Sequence, residues 1–257
     1  MRRFSIQPRD INGSSAVISG DEANHIQNVL RLSPGHVIQL FDGTGVAYTA
    51  KIESLAPGKI QVTILEKFQP QTESPIRLVI AQAMLKDKKM DHLVPPLTEL
   101  GMTRFIPFIA ERSVARPDSG RLTKRMDRWE KIATESLKQC KRNQTPIIGP
   151  VLSFPEVLAF GKTCNSRILF WENSRTPVRI PEPGNDLSGH QTVLVLGPEG
   201  GFSDNEIEQA RQADFLIASL GPRILKAETA PIAACTIIQY LFGDMGNKYL
   251  DKAPGIH

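Results

Sequence analysis

The chain has 257 residues and a mass of 28.4 kDa, with 40% hydrophobic and 23% charged residues. That composition excludes disorder and collagen-like structure, and the length is ample for a sizeable core. No stretch approaches the roughly 18 apolar residues of a spanning helix, and Met1-Arg2-Arg3-Phe4-Ser5 leads into no apolar signal segment, which predicts a cytoplasmic protein. Lysine and arginine outnumber aspartate and glutamate 31 to 27, a formal charge of +4. Cys140, Cys164 and Cys235 are odd in number and far apart, which supports neither a disulfide framework nor a CxxC zinc site.

The first seventy residues read as mostly strand. Val46, Tyr48, Ala50 and Ile52 alternate with polar or small neighbours, as do Ile60, Val62 and Ile64, the period-two pattern of half-buried strands. Asp42-Gly43-Thr44-Gly45 supplies a tight turn. One short helix is predicted from Asp21 to Leu30, with Ala23, Ile26, Val29 and Leu30 on one side and Ser33-Pro34-Gly35 ending it. A small barrel with one helix follows. Residues 69–75, polar and proline-flanked, read as a linker, so domains are expected at 1–70 and 75–243 with a tail at 244–257.

Beyond the linker, apolar runs alternate with helical patterns. Strands are expected at 76–81, 105–109, 168–171, 193–196 and 215–220, with helices ending at Glu99, from Leu122 to Cys140, from Asp204 to Ala213 and from Thr229 to Phe242. Such alternation predicts an α/β domain built on a parallel sheet. Two capping boxes, Ser153 with Glu156 and Ser203 with Glu206, mark helix starts. Trp129, with Ile132 and Ala133 at helical spacing, reads as core. From Ala230 to Phe242 only Thr236 and Gln239 are clearly polar, so this helix is apolar on all sides and calls for cover on all sides.

Charge is concentrated between Arg104 and Arg142, where eleven basic residues face five acidic ones, a net +6. A positive window in an otherwise near-neutral chain is the footprint of a polyanion, nucleic acid first, or else a solvated helix face. Ligands of open parallel sheets bind beyond the carboxyl ends of strands. Two loops there carry bare backbone: Gly197-Pro198-Glu199-Gly200-Gly201-Phe202, and the stretch from Leu220-Gly221 through Lys226 to Thr229. GxxxxGK[ST], GxGxxG after an early strand, and GxSxG are all missing, which argues against nucleotide triphosphatases, Rossmann dinucleotide enzymes and serine hydrolases. The five histidines show no metal-ligand spacing, so no metal site is expected.

GPEGGFSDNEIE (Gly197 to Glu208) followed by LGPRILKAETA (Leu220 to Ala230) resembles the paired signature of the RsmE family, the 16S ribosomal RNA uracil-N3 methyltransferases. Arg3-Phe4, the His25 to Leu32 stretch, Thr98-Glu99-Leu100-Gly101, Glu111-Arg112-Ser113 and Gln139-Cys140-Lys141-Arg142 keep the family's order. The resemblance implies a SPOUT-type α/β domain with a deep trefoil knot, an N-terminal PUA-like β-barrel, S-adenosyl-L-methionine as cofactor, a homodimer, and methylation of N3 of one uridine in the 16S rRNA of the small ribosomal subunit. Related alternatives are a methyltransferase of the same superfamily acting on tRNA or a ribose hydroxyl, and a non-catalytic RNA-binding assembly factor. Two departures stand out: Pro95-Pro96-Leu97 stands where the family usually has a basic residue within its helix, predicting a kinked or later-starting helix, and Lys226 stands where arginine is usual.

What the resemblance implies for individual residues is as follows. Gly197, Pro198, Glu199, Gly200, Gly201 and Gly221 hold the adenosyl part through backbone groups, while Leu196, Leu220, Ile224 and Leu225 wall the adenine. From the basic window, Arg112 and Arg142 are the candidates to stabilise the uracil anion or grip neighbouring phosphates, the alternative being a plain surface salt bridge. Glu228 orients the substrate, accepts its proton, or caps the last helix. Arg3, Arg31, Arg116 and Lys226 contact RNA; apart from the resemblance, the three widely spaced cysteines read as inert thiols and His25 as structural.

Overall fold

The computed structural model describes residues 1–114, 119–178 and 188–246. They form two compact units, the first made of 1–73 with 134–145 and the second of 74–133 with the chain from 146 onward.

The first unit contains β1 (Arg3–Ser5), β2 (Ile11–Asn12), β3 (Ser15–Ser19), α1 (Gly20–Asn24), β4 (Val37–Phe41), β5 (Ala47–Ala56) and β6 (Lys59–Phe68). They make a six-stranded sheet ordered β1-β4-β5-β6-β3-β2, antiparallel except where β1 lies parallel to β4. The alternating residues do what their period dictates: Ala50, Ile52, Ile60 and Val62 are fully buried around one core with Ile18, Ile26 and Leu40. At the Asp42 turn the carboxylate accepts from the Thr44 amide and hydroxyl and, at 2.9 Å, from the Tyr48 hydroxyl. Burial, then that hydrogen bond, pushes the phenol up to about 12.

The expected helix from Asp21 to Leu30 is two things. After α1 the chain widens into a π-turn over His25–Val29, where the Leu30 amide donates to the His25 carbonyl. The extra residue turns Val29 outward, leaving it 65% exposed instead of on the apolar side with Ile26. Arg31 follows at φ +50°, a left-handed conformation uncommon for a residue with a side chain.

The second unit contains β7 (Arg77–Ala83), α2 (Lys89–Glu99), β8 (Met102–Ile109), α3 (Ser119–Cys140), β9 (Ile147–Ile148), β10 (Leu152–Ser153), α4 (Phe154–Gly161), β11 (Ser166–Phe170), β12 (Gln191–Leu196), α5 (Asp204–Gln212), β13 (Leu216–Ala218) and α6 (Thr229–Phe242). By chain segment, α3 counts with this unit as far as Ala133 and with the first from Thr134. The sheet is parallel throughout, ordered β10-β8-β7-β12-β11-β13, with β9 also on β8. Its two faces bury separate clusters, one holding Leu78, Ile80, Leu194, Trp129 and Ile238, the other Val79, Ala81, Val193, Val195 and Phe202. Burial on both faces explains the uninterrupted apolar strands. Strand order reverses between β7 and β12, and the loops leaving β7, β11, β12 and β13 emerge around that switch.

Both predicted capping boxes are present, at α4 and α5. Helix α2 runs through Pro95 and Pro96 and begins before them, contrary to a later start. Trp129 is fully buried, donates from Nε1 to Asp91 Oδ1 at 2.8 Å, and meets the Phe105 ring edge-on, so it is core as expected. Helix α6 buries Pro231, Ala234, Cys235, Ile238 and Gln239, while Ala233, Ile237 and Leu241 are half-buried and Tyr240 is 58% exposed. Among the described residues, one side of this apolar helix is covered and the other is half-buried to exposed. No described helix is long and apolar enough to cross a membrane.

Candidate functional site

A cavity of about 610 Å³ opens at the carboxyl ends of β11, β12 and β13. The loop after β12 contributes Leu196, Gly197, Pro198, Glu199, Gly201 and Phe202. Leu220, Gly221, Ile224, Leu225, Lys226 and Glu228 come from the stretch between β13 and α6. The two glycine loops, twenty residues apart in sequence, thus face one space. Of the ten residues expected to hold a cofactor, only Gly200 is off the lining: its α-carbon faces Arg112, whose Cβ would lie 3.2 Å from a Cβ placed there.

The loop after β12 is pinned along its length. Gln82, fully buried on β7, donates from Nε2 to the Gly197 carbonyl at 3.1 Å, and the Gly201 amide donates to the Pro198 carbonyl. Gly201 sits at φ +66°, and a Cβ on it would run into the Glu172 carboxylate. Glu199 accepts from the Lys86 amide at 3.1 Å and from Lys89 Nζ at 2.9 Å, and Lys89 also lies 3.6 Å from Glu228. Burial works to raise the Glu199 carboxyl, but the Lys89 ammonium and the amide donors outweigh it and hold it below the usual carboxylate range. Hydrogen bonding to Glu199, before any other cause, raises Lys89.

Glu228 occupies the N-cap of α6 without a side-chain capping bond. Its carboxylate turns to the cavity instead, so of its expected roles capping is the one the geometry removes. Lys226 is exposed and lines the cavity. Arg112 is exposed on the loop after β8 and donates from Nη1 to the Gly200 carbonyl at 3.2 Å. Ile224 is 84% exposed, an apolar side chain held over an open mouth.

Several cavity residues were not anticipated. Phe170 ends β11, Trp171 and Glu172 follow it, and Lys89 opens α2. The signal for the first three was available, since they too lie past the carboxyl end of an apolar strand. Lys89 sits in a run of lysines that nothing local distinguishes.

The basic window does not survive whole. Arg142 is 3% exposed, and its guanidinium donates to Glu73 Oε2 from Nε at 2.9 Å and Nη2 at 2.7 Å within the first unit. Glu73 also receives the Asn143 and Gln144 amides, so Arg142 is the buried anchor of a turn and not a free donor for uracil or phosphate. Arg3 is corrected likewise. Its Nη atoms donate to the Leu137 and Arg142 carbonyls and to Asn143 Oδ1, and its guanidinium stacks 5.0 Å over Phe41, all inside the first unit. Lys138 bridges Glu22 and Glu135. Arg116 lies outside the described residues. Arg31 is exposed, as are Arg121, Lys124, Arg128 and Lys131, which recur at spacings of three and four along one face of α3. Among the described residues no group of three or more His, Cys, Asp and Glu side chains could hold a metal ion.

Fold and cavity together define a doubly wound α/β ligand-binding domain preceded by a β-rich unit. Comparison with known proteins gives the particular family. A family model described as "RNA methyltransferase domain" matches residues 72–239, and one described as "RNA methyltransferase PUA domain" matches 18–65. The Bacillus subtilis protein named ribosomal RNA small subunit methyltransferase E is 34% identical over 87% of this chain and 89% of its own length. A relative of the same name from Synechocystis is 32% identical over 93% of this chain and 77% of its own. The structure of ribosomal RNA small subunit methyltransferase E from Neisseria gonorrhoeae bound to S-adenosyl methionine superposes with a TM-score of 0.84 at 31% identity, covering 95% of this chain and 99% of that one. The chain belongs to the ribosomal RNA small subunit methyltransferase E family.

Proposed function

We propose that this protein transfers a methyl group from S-adenosylmethionine to N3 of one uridine in small-subunit (16S) ribosomal RNA, in the cytoplasm and as a homodimer. The observation that carries the reading is the convergence of both glycine loops on one cavity. The residues present fit the cofactor. The volume lies inside the roughly 300–1,000 Å³ of small-molecule sites. Leu196, Leu220, Ile224 and Leu225 offer an apolar wall, the bare loops offer backbone groups, and Glu172 and Glu199 offer negative charge to a cationic ligand. When bound, S-adenosylmethionine supplies an electrophilic methyl group on a sulfonium, and no metal is required.

The protein's part is orientation and proton handling. Uridine N3 must lose its proton, and the resulting charge rests on the flanking carbonyl oxygens, where a cationic donor stabilises it. Arg112, exposed beside the Gly200 carbonyl, is the donor we assign. Glu228, facing the cavity at 3.6 Å from Lys89, is the group we assign to orient the base and accept its proton. Arg31, Lys226 and the basic face of α3 would hold phosphates, which position RNA without reading its sequence. The trefoil-knotted path belongs to the same reading. It is supported by backbone bonds from Trp171 to Ala218 and from Ser219 to Thr176, which lace the loop after β11 to the one after β13.

The half-covered α6 supports the dimer, its outer side chains Ile237, Tyr240 and Leu241 remaining for a second copy to cover. Ile238 points into the chain's own core, so a charge there unfolds the protein, whereas Tyr240→Glu tests association. Incubation with tritiated cofactor and unmodified small-subunit RNA should label one uridine at N3, with activity unchanged by a chelator. Label at another base or on a ribose would refute the reading, and an active wild-type monomer in light scattering would refute the dimer.

A further inference from the structure

Two helices of this chain open on the same Ser-x-x-Glu cap, and the two caps do different things. At α4, Glu156 Oε2 accepts from both the amide and the hydroxyl of its own Ser153, each at 2.7 Å, on the exposed surface. At α5, Glu206 is 4% exposed. Its Oε2 accepts from the Ser203 amide at 2.9 Å, closing the cap, but its Oε1 accepts from the Glu111 amide at 2.8 Å, a residue 95 positions earlier. The Ser203 hydroxyl adds a second tie, donating to Glu111 Oε2 at 2.6 Å while accepting from the Glu206 amide.

This cap therefore clasps two loops: the one after β12, which lines the cavity, and the one after β8, which carries Arg112 on the residue following Glu111. Ser113 Oγ accepts from the Ala110 amide and closes the turn, and Arg112 itself reaches the Gly200 carbonyl. The arginine's backbone is thus fixed on both sides. We propose that Glu206 is a positioning residue, whose carboxylate holds the Arg112 loop in register with the cofactor loop. The proposal rests on the reading of Arg112 as the donor to substrate. A carboxylate is required because two N–H groups converge on its two oxygens; an amide keeps one acceptor and turns an NH₂ toward the other donor. A displacement of about 1 Å at such a group is worth on the order of a hundredfold in rate.

The test compares Glu206→Gln with Glu156→Gln, the same change in a cap that ties nothing else. The melting temperature should fall further in Glu206→Gln, whose carboxylate is buried on two N–H donors, than in Glu156→Gln, whose cap is exposed, so the clasp is read from turnover and not from stability. Methyl transfer to small-subunit RNA should lose tenfold or more in kcat in Glu206→Gln only, with cofactor Kd from calorimetry within about threefold of wild type. In an Arg112→Ala background, adding Glu206→Gln should slow turnover less than twofold further. If Glu206→Gln does not fold, Ser203→Ala, which removes the hydroxyl's bonds to Glu111 and to the Glu206 amide but leaves both carboxylate bonds of Glu206, should lose twofold to tenfold. Equal loss in Glu156→Gln, no loss in Glu206→Gln, multiplication of the losses in the double variant, or an unimpaired Ser203→Ala would each overturn the clasp. An impaired Arg112→Ala beside a normal Glu206→Gln sinks the clasp alone. Full activity in Arg112→Ala sinks the reading of that arginine and the clasp with it.

Discussion

The two glycine loops that meet in the cavity are held in opposite ways. From Gly197 to Ser203 the backbone is tied by Gln82, by its own turn, by the Lys86 amide through Glu199, by Arg112 and by the α5 cap. From Gly221 to Lys226 every residue but Leu225 is exposed, and among the described residues no side-chain hydrogen bond restrains Arg223 or Lys226. The first is tied along its length to other elements; the second is held at its ends, by Ser219 on Gly221 and by the Thr229 and Ala230 amides on the Lys226 carbonyl, with exposed side chains between. A preorganised loop loses little entropy on binding, whereas an open one must be ordered by its ligand. Substitutions in the first should therefore damage binding and architecture together, and substitutions in the second should damage binding alone.

The largest effect is expected where the tied loop leaves no room. Gly201→Val places a β-branched side chain at φ +66° and against Glu172. Calorimetry should show cofactor affinity weakened a hundredfold or more, with a melting temperature several degrees lower. Binding within tenfold of wild type would mean the loop gives way and is not preorganised. A smaller effect belongs to the open loop. Ile224→Ala removes an apolar surface that is 84% exposed, so the melting temperature should stay within about a degree while Kd rises roughly threefold to tenfold. A stability loss comparable to that of Gly201→Val would erase the contrast.

The same contrast explains what the sequence disclosed. Glycine loops after apolar strands announce themselves, because only bare backbone and strand ends are needed to see them; nine of the ten expected cofactor residues line the cavity. Charge misled at Arg142, and residue type at Arg3. A guanidinium reads alike whether it meets phosphate or is buried on a carboxylate 69 residues away, and periodicity carries no information about that partner. The π-turn at His25 was hidden for a related reason, since one extra residue per turn is a choice made by packing and not by local propensity. Phe170 to Glu172 lie at the end of another apolar strand of the same sheet, so the reasoning that found the two glycine loops reaches them as well.

The smallest effect concerns the ion pair linking the tied loop to α2, and its sign follows from the two shifts. The Glu199 carboxyl is lowered from 4.5 in the folded protein, so its contribution is complete above that value and is lost as pH falls through the lower folded value. Lys89 is raised from 10.5, so its contribution is complete below 10.5 and is lost as pH rises through the higher folded value. Between those limits the Lys89–Glu199 link is insensitive to pH. Lys89 is open to water and the pair is screened by salt, which keeps its effect on overall stability slight. Lys89→Met should therefore leave the melting temperature nearly unchanged from pH 6 to 9 while raising the cofactor Kd no more than a few fold. Without the ammonium that holds the Glu199 carboxyl down, the acid-side weakening of binding expected from protonation of Glu199 should begin at a higher pH in the variant than in wild type. A variant whose affinity falls over the same acid range as wild type would place the group responsible away from the Lys89–Glu199 pair.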